Sequence, residues 1–535
     1  MAERDETAAS RPRPRRAYAL LPSAILLAPV VAFLVGSNYS LARPEALLWM
    51  LGAIVVGAGL GAVVVRTSAW PRTLVLTACI TLFVDVRLAP VEPWHLLLVA
   101  AGIGVVVRLL GENALPILSA GFATLLVSLL VVPAEAPLQR ASGSGAEARP
   151  ARDDLPPVVV VVLDEHMGLE GIPIDIDGGA RTREAVRDVY ERHGFRLYAR
   201  AYSQYAWTLD SLGNLFNFTA DARSRAFIAE TEAPHVLRRN LFLQRAAREG
   251  YAIRVYQSDY LDFCRADGAP PEFCLQYKTS SAGSAQKEKL PWLEKAGLIG
   301  NTLLSKTVLA QGAAGLRGVL AKAGLPVGTA DAQLGMLVGP YEAMKVLDRL
   351  EADLLSGARG RLFLAHLMIP HFPYTYDADC GIQRHTPPWM KSRDAAAPAV
   401  TGPESWRRER YRRYFLQVQC LAHRLDRFFG ALGAAGVLDD AVVVVLGDHG
   451  TRANERDPTP DSLAALEPKY LVDNFSALFA ARGPGVKPGL EERRYPLVKA
   501  FAEVLGHNGP PPTTESLLLF QPGRKELTPA PMPEF

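Results

Sequence analysis

The stretch VVVVVLDEHMG, residues 158–168, sets six apolar residues directly before Asp164, Glu165 and His166. A run like that reads as a strand buried on both faces. A second stretch, AVVVVLGDHG (441–450), repeats the pattern and ends in Asp448, His449 and Gly450. In open α/β sheets, ligands bind at the carboxyl ends of the strands. Neither acidic group has an obvious basic neighbour in the sequence. Clustered carboxylates are costly unless a cation neutralises them. One divalent metal ion held by Asp164, Glu165, Asp448 and His449 would do so. Oxygen ligands with one imidazole suit zinc, manganese, magnesium or calcium and do not choose among them. Either motif alone is weak, since an acid after a strand often caps the next helix. The pair on two apolar strands is specific.

Further apolar segments follow at wide spacing: YAIRVY (251–256), RLFLAHLMI (361–369) and FSALFAA (475–481). Helical periods lie between them, over 237–250, 339–357 and 409–436. Gly250 provides a C-cap for the first. The alternation predicts an α/β domain over 157–508 with a mostly parallel central sheet and helices on both faces. Residues 281–335, rich in Ala, Gly and Lys, read as an insertion, and the Pro-rich 509–535 as an irregular tail.

The first 135 residues differ. They hold five apolar spans near 18–37, 45–65, 72–89, 93–110 and 114–133. Each is close to the roughly 20 residues that cross a bilayer as a helix. The third is the weakest, because Asp85 and Arg87 sit at its end. Arg11, Arg13, Arg15 and Arg16 precede the first span, Arg66 and Arg72 separate the second and third, and Arg108 follows the fourth. These alternate basic loops are expected in the cytoplasm. Five spans then place everything after residue 135 outside it, in a multi-pass inner-membrane protein with a periplasmic domain. Residues 136–156 read as a flexible tether.

Cysteine usage agrees. Cys79 lies within a span, and Cys264, Cys274, Cys380 and Cys420 lie in the soluble part. An even number outside the cytoplasm points to disulfides. Proximity favours Cys264–Cys274 and Cys380–Cys420, and a zinc cluster lacks the usual CxxC spacing. The formal charge of +3 gives no sign of a nucleic-acid partner.

An early strand ending in acid and a late strand ending in DHG resemble the alkaline phosphatase superfamily, in its sulfatase-like branch. That branch includes membrane-anchored phosphoethanolamine transferases and lipoteichoic acid synthases, whose five-span architecture is also similar. ARAYSQYAWTLDSLGNLF (199–216) resembles the nucleophile segment, with Thr208 opening a short helix. LAHLMIPHFPYTYD (364–377) resembles the segment whose His and Pro line the substrate pocket. NLFLQRAAREGYAIRVYQSDY (240–260) resembles the helix–strand unit between them. The resemblance implies that Thr208 attacks phosphorus, with metal coordination and the helix N-terminus favouring its anion. It implies that His371 protonates the leaving group or donates to a non-bridging oxygen. His366 and His166 are candidate substrate contacts. Ser203 and Ser211 are weaker candidates for the nucleophile. Asp164 aligns best with the family's leading acid, though Glu165 could replace it or share the position.

Two departures matter. Sulfatases of this branch make formylglycine within C/S-x-P-x-R, whereas Thr208-Leu209-Asp210-Ser211 lacks that Pro and Arg, which favours phosphoryl chemistry. Two-metal members have more ligands downstream of DHG, whereas TRANERDPTPDSLAALEPKY (451–470) has no histidine. One metal is therefore expected, with Asp259 and Arg452 as neighbours that nothing fixes. The expected protein is a membrane-bound, metal-dependent enzyme that transfers or hydrolyses a phosphoryl-linked group, with a phosphorylated or sulfated substrate within reach of lipid. The alternatives are a hydrolase of soluble phosphate or sulfate esters and an inactive membrane scaffold.

Overall fold

The computed structural model describes residues 18–36, 39–88, 93–131, 139–140, 152–229, 234–277, 279, 291–304, 307–308, 338–383, 403–453, 458–507, 509, 515–521 and 523–532. Most of the tether and of the insertion, and parts of the tail, lie outside the described residues. The chain forms two compact units, one of residues 1–136 with 281–335 and one of 137–280 with 336–535.

The first unit opens with five helices: α1 (Leu21–Gly36), α2 (Pro44–Arg66), α3 (Ala69–Leu88), α4 (Pro93–Leu110) and α5 (Ala114–Val131). Among the described residues, three helical stretches are long and apolar enough to cross a membrane: Pro44–Arg66, Ala69–Val86 and Trp94–Val131. The last comprises α4 and α5 around a 3-10 turn at Gly111–Asn113. Large apolar side chains such as Leu51, Val55, Leu97 and Leu109 are exposed along these helices.

The second unit begins with β1 (Gln139–Arg140), the opening valine run β2 (Val158–Leu163), α6 (Gly179–Arg192), β3 (Arg196–Tyr202) and α7 (Thr208–Leu215). It continues through β4 (His235–Val236), α8 (Leu241–Glu249), β5 (Ala252–Ser258), β6 (Leu261–Asp262) and β7 (Phe273–Tyr277). The chain then contributes α9 (Trp292–Leu304) to the first unit. There Trp49 Nε1 donates to the Ala296 carbonyl at 2.7 Å. Ile299 and Leu303 are buried with Val30, Leu34 and Tyr39. The Val308 amide donates to the Asp85 carboxylate at 2.9 Å, which explains how an acid is buried at the end of α3. The described part of the insertion therefore packs as a piece of the helical unit.

The sheet unit resumes with α10 (Val338–Ser356), β8 (Arg361–Leu367), α11 (Pro403–Ala434), β9 (Val442–Gly447) and α12 (Pro468–Phe475). It ends with β10 (Phe479–Arg482), β11 (Gly489–Pro496), α13 (Leu497–Val504), β12 (Leu517–Leu519) and β13 (Thr528–Ala530). Among the described residues, nine strands form one sheet in the order β1-β7-β5-β8-β2-β9-β10-β3-β11. The run β7-β5-β8-β2-β9 is parallel, and β10 is antiparallel to both neighbours. Alternate residues of β2 face two cores. Val159 and Val161 pack with α6, α10 and α11, and Val160 and Val162 with α7, α8 and α13. This two-sided burial is why the strand reads as an unbroken apolar run. Asn240 caps α8 by accepting from the Leu243 amide at 3.0 Å, and Gly250 (φ 96°) ends it.

The C-terminal stretch differs from the irregular tail expected. Among its described residues, β12 and β13 pair antiparallel. The cause is the apolar LLL of 517–519: Leu517 and Leu519 pack with Tyr202, Ala206 and Phe475, and Leu518 with Tyr205 and Leu527. Both favoured disulfides are formed, Cys264–Cys274 and Cys380–Cys420, and Cys79 is free and buried.

Candidate active site

Register builds the site. Leu163, the last residue of β2, lies opposite both Leu367 of β8 and Gly447 of β9. Asp164 and Asp448 follow immediately on adjacent parallel strands, so both acids arrive at one sheet edge. Close approach is needed: a Cβ on Gly447 would stand 2.0 Å from the His166 carbonyl oxygen, and one on Gly450 2.3 Å from that of Asp473. Only glycine fits either place.

Asp164, Asp448 and His449 offer ligand atoms within 4.8 Å of one another, and all three are buried. Asp164 Oδ1 and Asp448 Oδ2 have no hydrogen-bond partner. Their other oxygens are engaged. Asp164 Oδ2 faces His366 Nε2 at 3.1 Å, while Asp448 Oδ1 accepts the amides of Glu165 and His449 at 3.0 and 2.9 Å. His449 Nδ1 lies 2.8 Å from the Gly450 carbonyl, which fixes its proton there and leaves the Nε2 lone pair facing the acids. Burial lowers the His449 pKa against the pull of Asp448, which also favours the neutral ring. Burial and the charge of Asp164 raise the Asp448 pKa. Burial works the same way on Asp164, but the nearby His371, His366 and His449 outweigh it and hold that carboxyl low. Two buried carboxylate oxygens without donors, beside an imidazole lone pair, fit a divalent cation.

Glu165 lies outside that group of three. It has a left-handed backbone (φ 64°), and its carboxylate accepts Arg452 Nε at 3.1 Å and Nη2 at 2.5 Å. Burial would raise its pKa, but His371 and Arg452 outweigh that and lower it. Arg452 is 7% exposed and lies over the Trp207 ring at 4.9 Å. Tyr414 anchors the turn from the other side, donating to the Glu165 carbonyl at 3.1 Å and accepting the Met167 amide at 3.0 Å.

Thr208 is the first residue of α7, and its Oγ1 lies 3.2 Å from His449 Nε2. Its helix starts here because Trp207 is extended and the next turn is apolar on the core side, with Leu209 and Leu212 buried. Ser211 donates to the Asp448 carbonyl at 2.5 Å and contacts Ser203 at 3.0 Å. Both serines are therefore occupied in supporting the ligand strand. His371 lies in the loop after β8, with Nε2 3.6 Å from Glu165 Oε1 and its side chain 17% exposed. Its Nδ1 contacts the Phe372 carbonyl. Gln417 holds this loop by donating to the Pro370 and His371 carbonyls, each at 3.0 Å.

The sulfatase family model matches residues 157–499, nearly two thirds of the chain. The chain belongs to the sulfatase family. No curated protein matches it. Among solved structures it is similar to the C-terminal periplasmic domain of EcEptC from Escherichia coli, at 12% identity and TM-score 0.39, covering 71% of this chain and 94% of that one. It is also similar to the phosphonate monoester hydrolase SpPMH from Silicibacter pomeroyi, at 15% identity and TM-score 0.38, covering 66% and 72%.

In this sulfatase-family site, the other expected residues take different places. His366 is fully buried and touches Asp164, which suits orienting that carboxylate more than meeting substrate. His166 points its Nδ1 at the Met167 carbonyl, and burial lowers its pKa to about 4. Asp259 accepts from the Thr279 amide and hydroxyl at 2.9 and 2.8 Å. His235 is buried on β4. The sequence reads Ser211 as a weaker nucleophile, Glu165 as a metal ligand and Arg452 as an unfixed neighbour, and does not single out Tyr414, because the contacts these residues make span more than 200 residues of the chain.

Proposed function

We propose that this chain is a membrane-anchored, extracytoplasmic, metal-dependent enzyme that transfers or hydrolyses a phosphoryl-linked group through Thr208. The observation that carries the reading is the 3.2 Å approach of Thr208 Oγ1 to His449 Nε2, beside the unpartnered oxygens of Asp164 and Asp448. Asp164, Asp448 and His449 would hold one divalent cation. Bound there, it would act as a Lewis acid that lowers the hydroxyl pKa and neutralises charge on the reacting phosphoryl group. The charge count supports a single ion. Three buried carboxylates, Asp164, Glu165 and Asp448, face one guanidinium, Arg452, which leaves two negative charges.

Thr208 Oγ1 attacks phosphorus as the alkoxide, its proton lost to solvent beforehand and the anion regenerated when Thr208 is later displaced, and the first-turn amides of α7 favour that negative charge. The Oγ1–P bond forms as the bond from phosphorus to the leaving oxygen breaks. His371 Nε2 gives that oxygen a proton, held in place by Glu165 at 3.6 Å. Water or an acceptor hydroxyl then loses a proton to His371 and displaces Thr208 from phosphorus. Whichever nucleophile arrives decides between hydrolysis and transfer. The apolar helices of the first unit support a substrate within lipid reach, and the basic loops and two disulfides support a domain outside the cytoplasm.

Metal analysis of the purified chain, beside phosphodiester turnover, tests the chemistry. The wild type is expected to hold one divalent ion per chain, and Asp448→Ala to lose both ion and turnover. Full turnover by metal-free protein would contradict the reading. Topology is tested apart from chemistry by a reporter fused after residue 150. Activity only outside the cytoplasm is expected, and cytoplasmic activity would overturn the orientation.

A further inference from the structure

The first turns of α11 carry five arginines, and four have carboxylate partners. Arg407 pairs with Asp473, Arg408 with Asp175 and Glu404, and Arg412 and Arg413 with Glu409. Arg410 is the exception. It is among the largest fully buried side chains of the protein, yet its Nε and Nη1 have no hydrogen-bond partner, and among the described residues no carboxylate pairs with it. Three rings surround its guanidinium: Trp406 at 4.6 Å, Phe372 at 5.7 Å and Tyr374 at 5.9 Å. The Tyr374 hydroxyl is also buried without a hydrogen-bond partner.

Aromatic faces attract a cation, but they do not satisfy its N–H donors. A buried guanidinium without an acceptor is costly, and native proteins keep such groups for a reason. Arg410 offers donors only, two of them without a partner, and the Tyr374 hydroxyl can turn its proton to the same place, which together complement an anion. The planar fork of arginine suits a tetrahedral oxyanion, which can accept two parallel hydrogen bonds. Position supports this. Of the three rings only Phe372 is partly exposed, and its amide reaches Glu165 Oε2 at 3.4 Å. The box therefore adjoins the loop that carries His371, one residue from the reacting centre.

We propose that Arg410, with the Tyr374 hydroxyl, forms a second anion-binding site beside the metal-ligand cluster, one that takes the tetrahedral oxyanion of a phosphate or phosphodiester group. The site does not depend on Thr208 chemistry. It supplies a place for an anionic group of the substrate other than the one undergoing reaction.

The test uses the full chain in detergent, stripped of metal so that the ligand cluster does not contribute. Thermal midpoints are followed against inorganic phosphate, with chloride at matched ionic strength as the reference. The wild type is expected to show a saturable rise with phosphate. Arg410→Met should weaken that phosphate dependence by about tenfold or more, the scale of a charge-assisted hydrogen-bond pair. Arg410→Lys, which keeps the charge and loses the fork, should weaken it as well and serves if the Met variant does not fold. Asp448→Asn, which retains Arg410, should keep it. A short-chain phosphodiester lipid below its micelle concentration forms the second arm. Tighter binding of that lipid than of phosphate assigns the site to a headgroup, and the reverse order assigns it to free phosphate. Absence of any saturable response in the wild type, or an unchanged response in both Arg410 variants, would overturn the proposal.

Discussion

Replacing Thr208 by alanine is expected to lower turnover on the order of 10⁴-fold or more while leaving the bound metal in place. The size follows from the role. Removal of a nucleophile removes the covalent route, and only binding and electrostatic effects remain. Retention of metal follows from geometry, because Asp164, Asp448 and His449 form the group of close ligand atoms without Thr208. Ser211→Ala is the matched control. Ser211 lies one turn along the same helix and donates to the Asp448 carbonyl at 2.5 Å. Its loss should cost about 1–3 kcal/mol of stability through an unsatisfied buried group, with a far smaller loss of turnover. Metal content, thermal midpoint and kcat on the same three proteins separate the roles. Equal losses of kcat in the two variants would contradict them.

The largest expected effect on stability lies behind the site. Arg407 donates from Nε and Nη2 to the two oxygens of Asp473 at 2.6 and 2.8 Å, with side-chain exposures of 4% and 1%. The Tyr411 hydroxyl also donates to Asp473. The same short segment holds the loop after His449, since the carbonyls of Asp473 and Asn474 accept the amides of Arg452 and Gly450, each at 2.9 Å. Asp473→Ala strips a buried guanidinium of its bidentate partner, leaving it the longer contact with the partly exposed Glu404 at 3.6 Å, and should cost about 3–5 kcal/mol. The double variant Arg407→Met/Asp473→Leu removes both charges and should recover much of that loss. Denaturant midpoints provide the comparison. A double variant as unstable as the single one would show that the cost lies in lost packing and not in the stranded charge.

The parts of this protein legible in its sequence are those written in local pattern. The valine runs of β2 and β9 announce central strands because both faces are buried, and their polar ends mark the ligand edge. The helical spans are visible because they are apolar along their length. What the sequence hid depends on distant contacts. Asp164 and Glu165 look equivalent in a row. They part only because the backbone turns through φ 64° at Glu165 and delivers its carboxylate to Arg452, 287 residues away. Arg410 is one arginine in a run of five, and nothing local marks it as the one without an acid. The insertion hid its role because Ile299 and Leu303 find their partners on helices some 250 residues earlier in the chain.

The central claim is covalent participation of Thr208, and the most direct test is the mass of the peptide that contains it. Protein quenched during turnover of a phosphodiester should carry one phosphoryl-linked group on the peptide spanning 199–216, assigned by fragmentation to Thr208. The adduct should be absent from Thr208→Ala and from metal-stripped protein. Rapid turnover with an unmodified peptide in the quenched wild type, or an adduct assigned to Ser203 or Ser211, would contradict the account.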